Sequence, residues 1–331
     1  MKKTYYIFSS GALKRRDNTI YFQSEDGKRH FIPIADTSDI VVFGEVDINK
    51  RFLEFLSQKE VTLHYFNHYG YYMGTFYPRE HLNSGYMILR QAEHYLDDSS
   101  RMNIAHRFVE GSVKNILRVL KYYENRGKDV TEHVNAIEDL LPAVGESDNI
   151  AALMAIEGNV RDQYYRTFDE IIGQPDFVFE SRSRRPPKNH LNALISFGNS
   201  FLYTVCLSQI YRTHLDPRIG YLHTTNFRRF TLNLDIAEIF KPIIVDRVIF
   251  TLLGRNMITS GDFEKGTEGI MMKERARQCF VSQLEEKLRT TIKHREIGRH
   301  VSYRRLIRLE LYKLEKHLMG EKKYEPLIAT W

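Results

Sequence analysis

The stretch MNIAHRFVEGSVKNILRVLKYYEN, residues 102–125, contains no proline and repeats its apolar residues at helical spacing. Ile104, Phe108, Val113, Ile116, Leu117 and Leu120 fall toward one side, which predicts one long amphipathic helix. Segments of the same kind surround it. Met87–Leu96 leads in, and Thr131 opens a helix to Leu141, where Pro142 is expected to stop it. Ser147 or Asp148 can cap a helix running to about Ile171. After a polar stretch from Gly173 to Pro187, helices are expected over 189–214, 234–253, 278–293 and 302–319. Pro242 should kink or restart the one it interrupts, because it lacks an N–H and its ring crowds the preceding turn.

Upstream of residue 87 the period changes. Tyr5–Phe8, Thr19–Phe22, Phe31–Ile34 and Ile40–Phe43 are short and rich in β-branched and aromatic residues. Asp26-Gly27 between two such runs is a hairpin signal. Ile48–Ser57 has helical spacing, Val61–Phe66 and Tyr71–Tyr77 form a strand pair, and Pro78 closes the section. The expected fold is α+β by segregation: a small β-rich N-terminal domain, residues 1–86, then a larger all-α domain, residues 87–331.

Composition is that of a globular chain, with 42% hydrophobic and 27% charged residues among 331. The two cysteines, Cys206 and Cys279, have no ligand spacing, which argues against a disulfide framework or a zinc finger. The apolar run after the N-terminal lysines is too short for a signal peptide, and no stretch approaches the ~18 consecutive apolar residues of a membrane span. The expected location is the cytoplasm, with no membrane partner. Net charge is +6, and residues 255–323 hold 17 Lys/Arg against 10 Asp/Glu. A second basic cluster comprises Arg182, Arg184, Arg185 and Lys188. Such clusters suit a polyanion, nucleic acid above all, or are simply a solvated basic face.

Three places could carry chemistry. Glu157 has Leu153, Met154 and Val160 as helical neighbours, and a carboxylate among apolar residues needs a partner or a metal. The plain alternative is an i,i+4 ion pair with Arg161. Asp235 and Glu238 share a helix face, where two negative charges repel unless a cation neutralises them. Acids near a helix start also serve the dipole, which is the alternative here. His223, in Gly220-Tyr-Leu-His-Thr-Thr-Asn226, shortly precedes that helix; as one of 13 histidines it can equally be a surface group. Carboxylates with one imidazole suit Mg²⁺ or Mn²⁺. Phosphate-loop, dinucleotide, HExxH and GxSxG motifs are absent.

In order along the chain, Ile156-Glu-Gly-Asn-Val-Arg161, Arg185-Pro-Pro187, Asn192-Ala-Leu-Ile-Ser-Phe-Gly198, Gly220-Tyr-Leu-His223, Leu232-Asn-Leu-Asp-Ile-Ala-Glu-Ile-Phe-Lys-Pro242 and Val245-Asp-Arg247 resemble the CRISPR-associated protein 1 family, the CRISPR adaptation integrases. The Tyr5-to-Gly11 segment is most similar to type I-B members. The resemblance implies Glu157, His223 and Glu238 as ligands of Mg²⁺ or Mn²⁺, with Asp235 as a secondary catalytic acid. It implies insertion of short DNA fragments into a CRISPR array by 3′-hydroxyl transesterification, and metal-dependent DNA cleavage. Implied partners are double-stranded and branched DNA, a second copy of the chain in a homodimer paired through the N-terminal β domain, and a dimer of CRISPR-associated protein 2. Arg161, Arg182, Arg184, Arg185, Lys188, Arg228 and Arg229 are then expected DNA contacts, although any of them can form ion pairs instead. The alternatives are a catalytically silent DNA-binding scaffold and a metal-dependent phosphoesterase on small substrates.

Overall fold

A computed structural model of the chain describes residues 2–67, 69–79, 82, 84–184, 186–225, 230–266, 269–293 and 298–330. Its contacts divide the chain into two units, Met1–Asn83 and Ser84–Trp331.

The first unit is built on strands β1 (Lys3–Ile7), β2 (Gly11–Arg16), β3 (Thr19–Ser24), β4 (Arg29–Ile32), β5 (Thr37–Val42), β6 (Val46–Ile48), β7 (Thr62–Phe66) and β8 (Tyr72–Phe76), with helix α1 (Lys50–Lys59). They form two four-stranded sheets, ordered β1-β5-β7-β8 and β4-β3-β2-β6. In the first, β1, β5 and β7 run parallel and β8 returns antiparallel. In the second, β6 is parallel to β2 and the remaining pairs are antiparallel. Ile7, Leu13, Ile20, Phe22, Ile40 and Val42 from the sheets meet Phe52, Phe55 and Leu56 of α1 in one core.

The Asp26-Gly27 turn joins β3 to β4, with Gly27 in the left-handed region at φ 83°. The Phe31–Ile34 strand expected from sequence instead stops at Ile32. Pro33 offers no N–H to a ladder, and Ile34–Asp36 winds into a 3₁₀ turn. Strand β2 was not foreseen because its Gly-Ala-Leu-Lys-Arg-Arg reads as polar. Only Leu13 enters the core, while the Arg15 guanidinium lies 4.3 Å from the centre of the Phe55 ring.

The second unit contains α2 (Gly85–Leu96), α3 (Asp98–Glu124), α4 (Thr131–Glu146), α5 (Ile150–Ile172), α6 (His190–Ile210), α7 (Leu232–Phe240), α8 (Arg247–Gly254), α9 (Glu274–Arg289) and α10 (Tyr303–Leu318). It is not purely helical. The hairpins β9–β10 (Phe263–Gly266 with Gly269–Met272) and β11–β12 (Thr291–Lys293 with His300–Ser302) interrupt it. Strands of three or four residues are too short to leave a period in the sequence.

Helix α3 is the axis against which α4, α5 and α7 pack, and α6 lies against α7. Helix α6 is long and apolar enough to cross a membrane by composition alone, but 83% of its apolar window is buried, as befits a core helix. Pro142 does not stop α4, which continues to Glu146. Asn149, not Ser147 or Asp148, caps α5 by accepting from the Ala152 N–H. Pro242 acts as expected on the predicted 234–253 helix. Residues Pro242–Asp246 form a π-helical turn between α7 and α8, and the Asp246 N–H reaches back to the Lys241 carbonyl.

Candidate metal and nucleic-acid site

Five segments contribute to the candidate site. Helix α5 brings Glu157, Arg161 and Tyr164, which its 3.6-residue period sets on one side. Helix α7 brings Asp235 and Glu238, and Lys241 follows its last residue. The segment 216–225 supplies His223, and α3 supplies Ser112. The π turn between α7 and α8 ends on Asp246.

Glu157 sits at the edge of the apolar face rather than within it. Leu153 and Val160 are buried, but Met154 is exposed and the Glu157 side chain is 21% accessible. The i,i+4 pair is present: Arg161 Nε donates to Glu157 Oε1 at 2.9 Å. The same guanidinium reaches across to α7. Its Nη2 donates to Glu238 Oε2 at 2.6 Å, to the Glu238 carbonyl at 3.3 Å and to Ser112 Oγ at 3.0 Å. Lys241 Nζ pairs with the other Glu238 oxygen. Glu157 and Glu238 are thus joined through Arg161, and two cations converge on the buried Glu238.

The electrostatics follow from this packing. Burial alone would raise the Glu238 carboxyl, yet the Lys241 and Arg161 charges hold it below the ordinary carboxylate range. Burial opposes the charge on Lys241, and the Glu238 carboxylate overcomes it, so the ammonium is held more tightly than usual. Arg161 behaves alike, with Glu238 its strongest supporting charge.

His223 is held by Asp235, which is fully buried. Asp235 Oδ2 accepts from the Tyr221 N–H at 2.6 Å and the Leu222 N–H at 3.1 Å. Its Oδ1 accepts from the His223 N–H at 2.9 Å and meets His223 Nδ1 at 2.7 Å. All four contacts are to the loop that carries the histidine, so Asp235 anchors that loop and has no oxygen free for a metal. Gly220 permits the approach: a Cβ there would lie 2.8 Å from Asp235 Oδ2. Burial works against the imidazolium, but the Asp235 hydrogen bond and charge, with that of Glu238, outweigh it and raise the His223 pKa. With Nδ1–H donated to Asp235, a neutral ring carries its lone pair on Nε2, which has no hydrogen-bond partner among the described residues.

Among the described residues, no three His, Cys, Asp or Glu side chains converge closely enough as placed to hold a metal ion. The reason is visible: the Arg161 guanidinium stands between the two glutamates. The donor set nonetheless suits a hard divalent cation, with two carboxylates and a pre-oriented imidazole in one cluster.

Several expected DNA contacts are accounted for differently. Arg161 is buried and committed to the cluster, which removes it from the surface. Arg182 is half-buried, and binds α6 through Asn192 Oδ1 at 2.9 Å and Ser196 Oγ at 3.0 Å. Arg184 and Lys188 are exposed. Arg185, Arg228 and Arg229 lie outside the described residues. Sequence reasoning missed Lys241 and Asp246 as members of the site. The i,i+3 spacing of Glu238 and Lys241 was the available signal for the first.

Comparison with known proteins identifies the family and the fold. Residues 5–286 match the protein family described as "CRISPR associated protein Cas1". The chain is 56% identical, over the full length of both, to "CRISPR-associated endonuclease Cas1 2" of Thermodesulfovibrio yellowstonii. It superposes on the solved structure of a CAS1 protein from Thermotoga maritima with TM-score 0.87, 50% identity and 99% coverage of each chain. Two structures at 18% identity share the fold alone. One is a casposase bound to its integration product, with TM-score 0.88, covering 98% of this chain and 93% of that one. The other is a Cas6-RT-Cas1–Cas2 complex, with TM-score 0.86, covering all of this chain and 36% of that one.

Proposed function

The chain belongs to the CRISPR-associated Cas1 family, whose relatives are named endonucleases, and from that premise we propose that it cuts and joins DNA as a divalent-metal-dependent integrase. The observation that supports this most is the junction of α5 and α7. There Arg161 links Glu157 to Glu238, and His223, anchored by Asp235, lies near enough to Glu238 for their charges to interact.

In the proposed reaction a 3′-hydroxyl of a short DNA fragment attacks a phosphodiester at the edge of a CRISPR repeat. Its oxygen loses a proton and forms a new P–O bond. The old P–O bond breaks, and the departing strand leaves with a 3′-hydroxyl. One phosphodiester replaces another, so no ATP is consumed. With water as the nucleophile the same attack is endonucleolytic cleavage. Mg²⁺ or Mn²⁺, held by Glu157, His223 and Glu238, would supply Lewis-acid stabilisation of the phosphorane and a lowered hydroxyl pKa. Asp235 fixes the His223 tautomer and ring orientation. Lys241 and Arg161 keep Glu238 ionised, as a metal ligand must be. Exposed Arg184 and Lys188 meet DNA phosphates.

The working assembly in this reading is a homodimer paired through the N-terminal β unit and bridged by a Cas2 dimer on double-stranded or branched DNA, in the cytoplasm. Fold likeness to the Cas1–Cas2 complex and to the casposase product complex is consistent with it. The test is strand transfer and branched-DNA cleavage with Cas2 and Mn²⁺. Glu157→Ala and His223→Ala should each lower the rate at least ~100-fold with folding intact. Full activity in either variant, or in EDTA, overturns the reading.

A further inference from the structure

The end of α7 that carries Glu238 is fastened by side chains from two other helices. Pro242 has no N–H, so the Glu238 carbonyl lacks its helical donor four residues on, and Arg161 Nη2 of α5 contacts it at 3.3 Å. The next carbonyl, that of Ile239, accepts from Asn115 Nδ2 of α3 at 3.0 Å. Asn115 is fully buried, and its amide makes two more bonds. Nδ2 also donates to the Leu327 carbonyl at 2.9 Å, and Oδ1 accepts from the Ala329 N–H at 2.8 Å. One side chain thus joins the helix of Asp235 and Glu238 to residues 324–329, which are neither helix nor strand.

That segment is itself held along its length. The Tyr324 ring is buried and edge-on to Phe108 of α3, with centroids 5.5 Å apart. Its hydroxyl donates to Glu310 Oε1 of α10 at 2.6 Å, and the same oxygen accepts from the Leu327 N–H at 3.0 Å. Lys313 Nζ spans Glu310 Oε2 at 2.8 Å and the Glu325 carbonyl at 3.1 Å. Gly111, one turn before Asn115, makes room for both neighbours. A Cβ there would lie 2.6 Å from Pro326 Cβ and 3.5 Å from Ile239 Cγ1. The segment and α7 therefore press on the same part of α3.

Apolar contacts are non-directional, whereas a buried amide with all its bonds made specifies one position. Groups that bind a metal must be held to within about 0.5 Å, which is where such an amide has its use. We infer that Asn115 is a positioning residue for Glu238, and that residues 324–329 are the brace that holds Asn115 in place. The inference rests on the divalent-metal reading above. Asn115 acts through the Ile239 carbonyl, next in sequence to Glu238. Without the amide, the end of α7 relaxes and Glu238 leaves the place it shares with Arg161 and Lys241.

Mn²⁺ affinity is the test, measured by calorimetry on the full chain without DNA. The proteins are wild type, Asn115→Leu, Tyr324→Phe, the double variant and Ile137→Ala. Circular dichroism and thermal unfolding check that each is folded at the temperature of titration. Ile137 is a fully buried residue of α4, and its truncation leaves a cavity that destabilises the unit without touching α7 or the brace. Asn115→Leu, close in shape but without polar atoms, is expected to weaken Mn²⁺ binding ~10-fold. Tyr324→Phe removes one hydroxyl from the brace and should weaken it ~3-fold. The double variant should match Asn115→Leu to within about 1.5-fold, since the brace acts through Asn115. Ile137→Ala should bind Mn²⁺ like wild type. Wild-type affinity in Asn115→Leu overturns the positioning role, as does an equal loss in Ile137→Ala, which marks general destabilisation. Wild-type affinity in Tyr324→Phe, or an effect of that change undiminished in the Asn115→Leu background, overturns the brace. If Asn115→Leu does not fold, Tyr324→Phe against Ile137→Ala decides the matter by the same criteria. Wild-type protein that binds no Mn²⁺ overturns the metal reading and the positioning role together.

Discussion

Asp235→Asn should damage the site in a way that a carboxylate acting directly on a metal would not. The side chain is fully buried and receives contacts from three backbone N–H groups and the His223 ring. An amide keeps one acceptor oxygen and puts an NH₂ in place of the other. If the NH₂ faces Tyr221 and Leu222, two backbone donors lose their acceptor. If it faces His223, that residue's N–H is orphaned and Nδ1 must become the acceptor, which moves the proton to Nε2. Each orphaned buried donor costs about 1–3 kcal/mol, so the expected destabilisation is about 2–6 kcal/mol in the first arrangement and about 1–3 kcal/mol in the second. The second arrangement also leaves Nε2 without its lone pair, so Mn²⁺ affinity should fall ~10–100-fold. Urea unfolding gives the first quantity, calorimetry with Mn²⁺ the second, and ¹⁵N NMR of the ring the tautomer. A loss below about 1 kcal/mol with wild-type Mn²⁺ affinity would refute the anchoring role.

The remaining expectations concern charge and packing. Burial, the dominant influence, pushes Asp246 from its ordinary 3.8 up to about 7, against the pull of Arg161. Between those values the folded state binds more protons than the unfolded one, so stability is full below about pH 4 and declines as pH rises through about 7. The decline from this group is at most about 4 kcal/mol; Asp246→Asn should flatten the curve in pH-dependent unfolding, and an unchanged slope would count against an ionising buried Asp246. Gly198→Ala places a Cβ 2.5 Å from Val245 Cγ1 and 2.7 Å from Phe280 Cζ, where α6 meets the π turn and α9. It should lose about 1–3 kcal/mol in thermal unfolding, and a neutral result would mean that this junction is loosely packed. Replacing exposed Arg184 and Lys188 with alanine should reduce the slope of log K against log salt for duplex binding by up to ~2, and an unaltered slope takes them out of the DNA interface.

Local signals carried much of this protein's organisation. The 3.6-residue period of 102–125 and of the α5 and α6 segments marked the helical unit. Turn chemistry at Asp26-Gly27 marked a hairpin in the first. Such features depend on neighbours a few residues away, so one chain suffices to read them. Short strands such as β2 and the two late hairpins escaped, since their formation depends on a partner strand and not on their own few residues.

The chemistry-bearing residues were legible one at a time, as an odd glutamate, a paired-acid helix and a loop histidine. Their relations were not. Sequence left the Glu157–Arg161 pair as an alternative to metal binding, whereas the folded chain makes Arg161 the link between Glu157 and Glu238. It grouped Asp235 with the reactive acids, whereas packing spends every Asp235 contact on the histidine loop. Residue type and local spacing determine which charges exist and which helix face they share. Only tertiary packing decides which charges lose their water together, and that loss of solvent is what turns one carboxylate into a loop anchor and another into the partner of two buried cations.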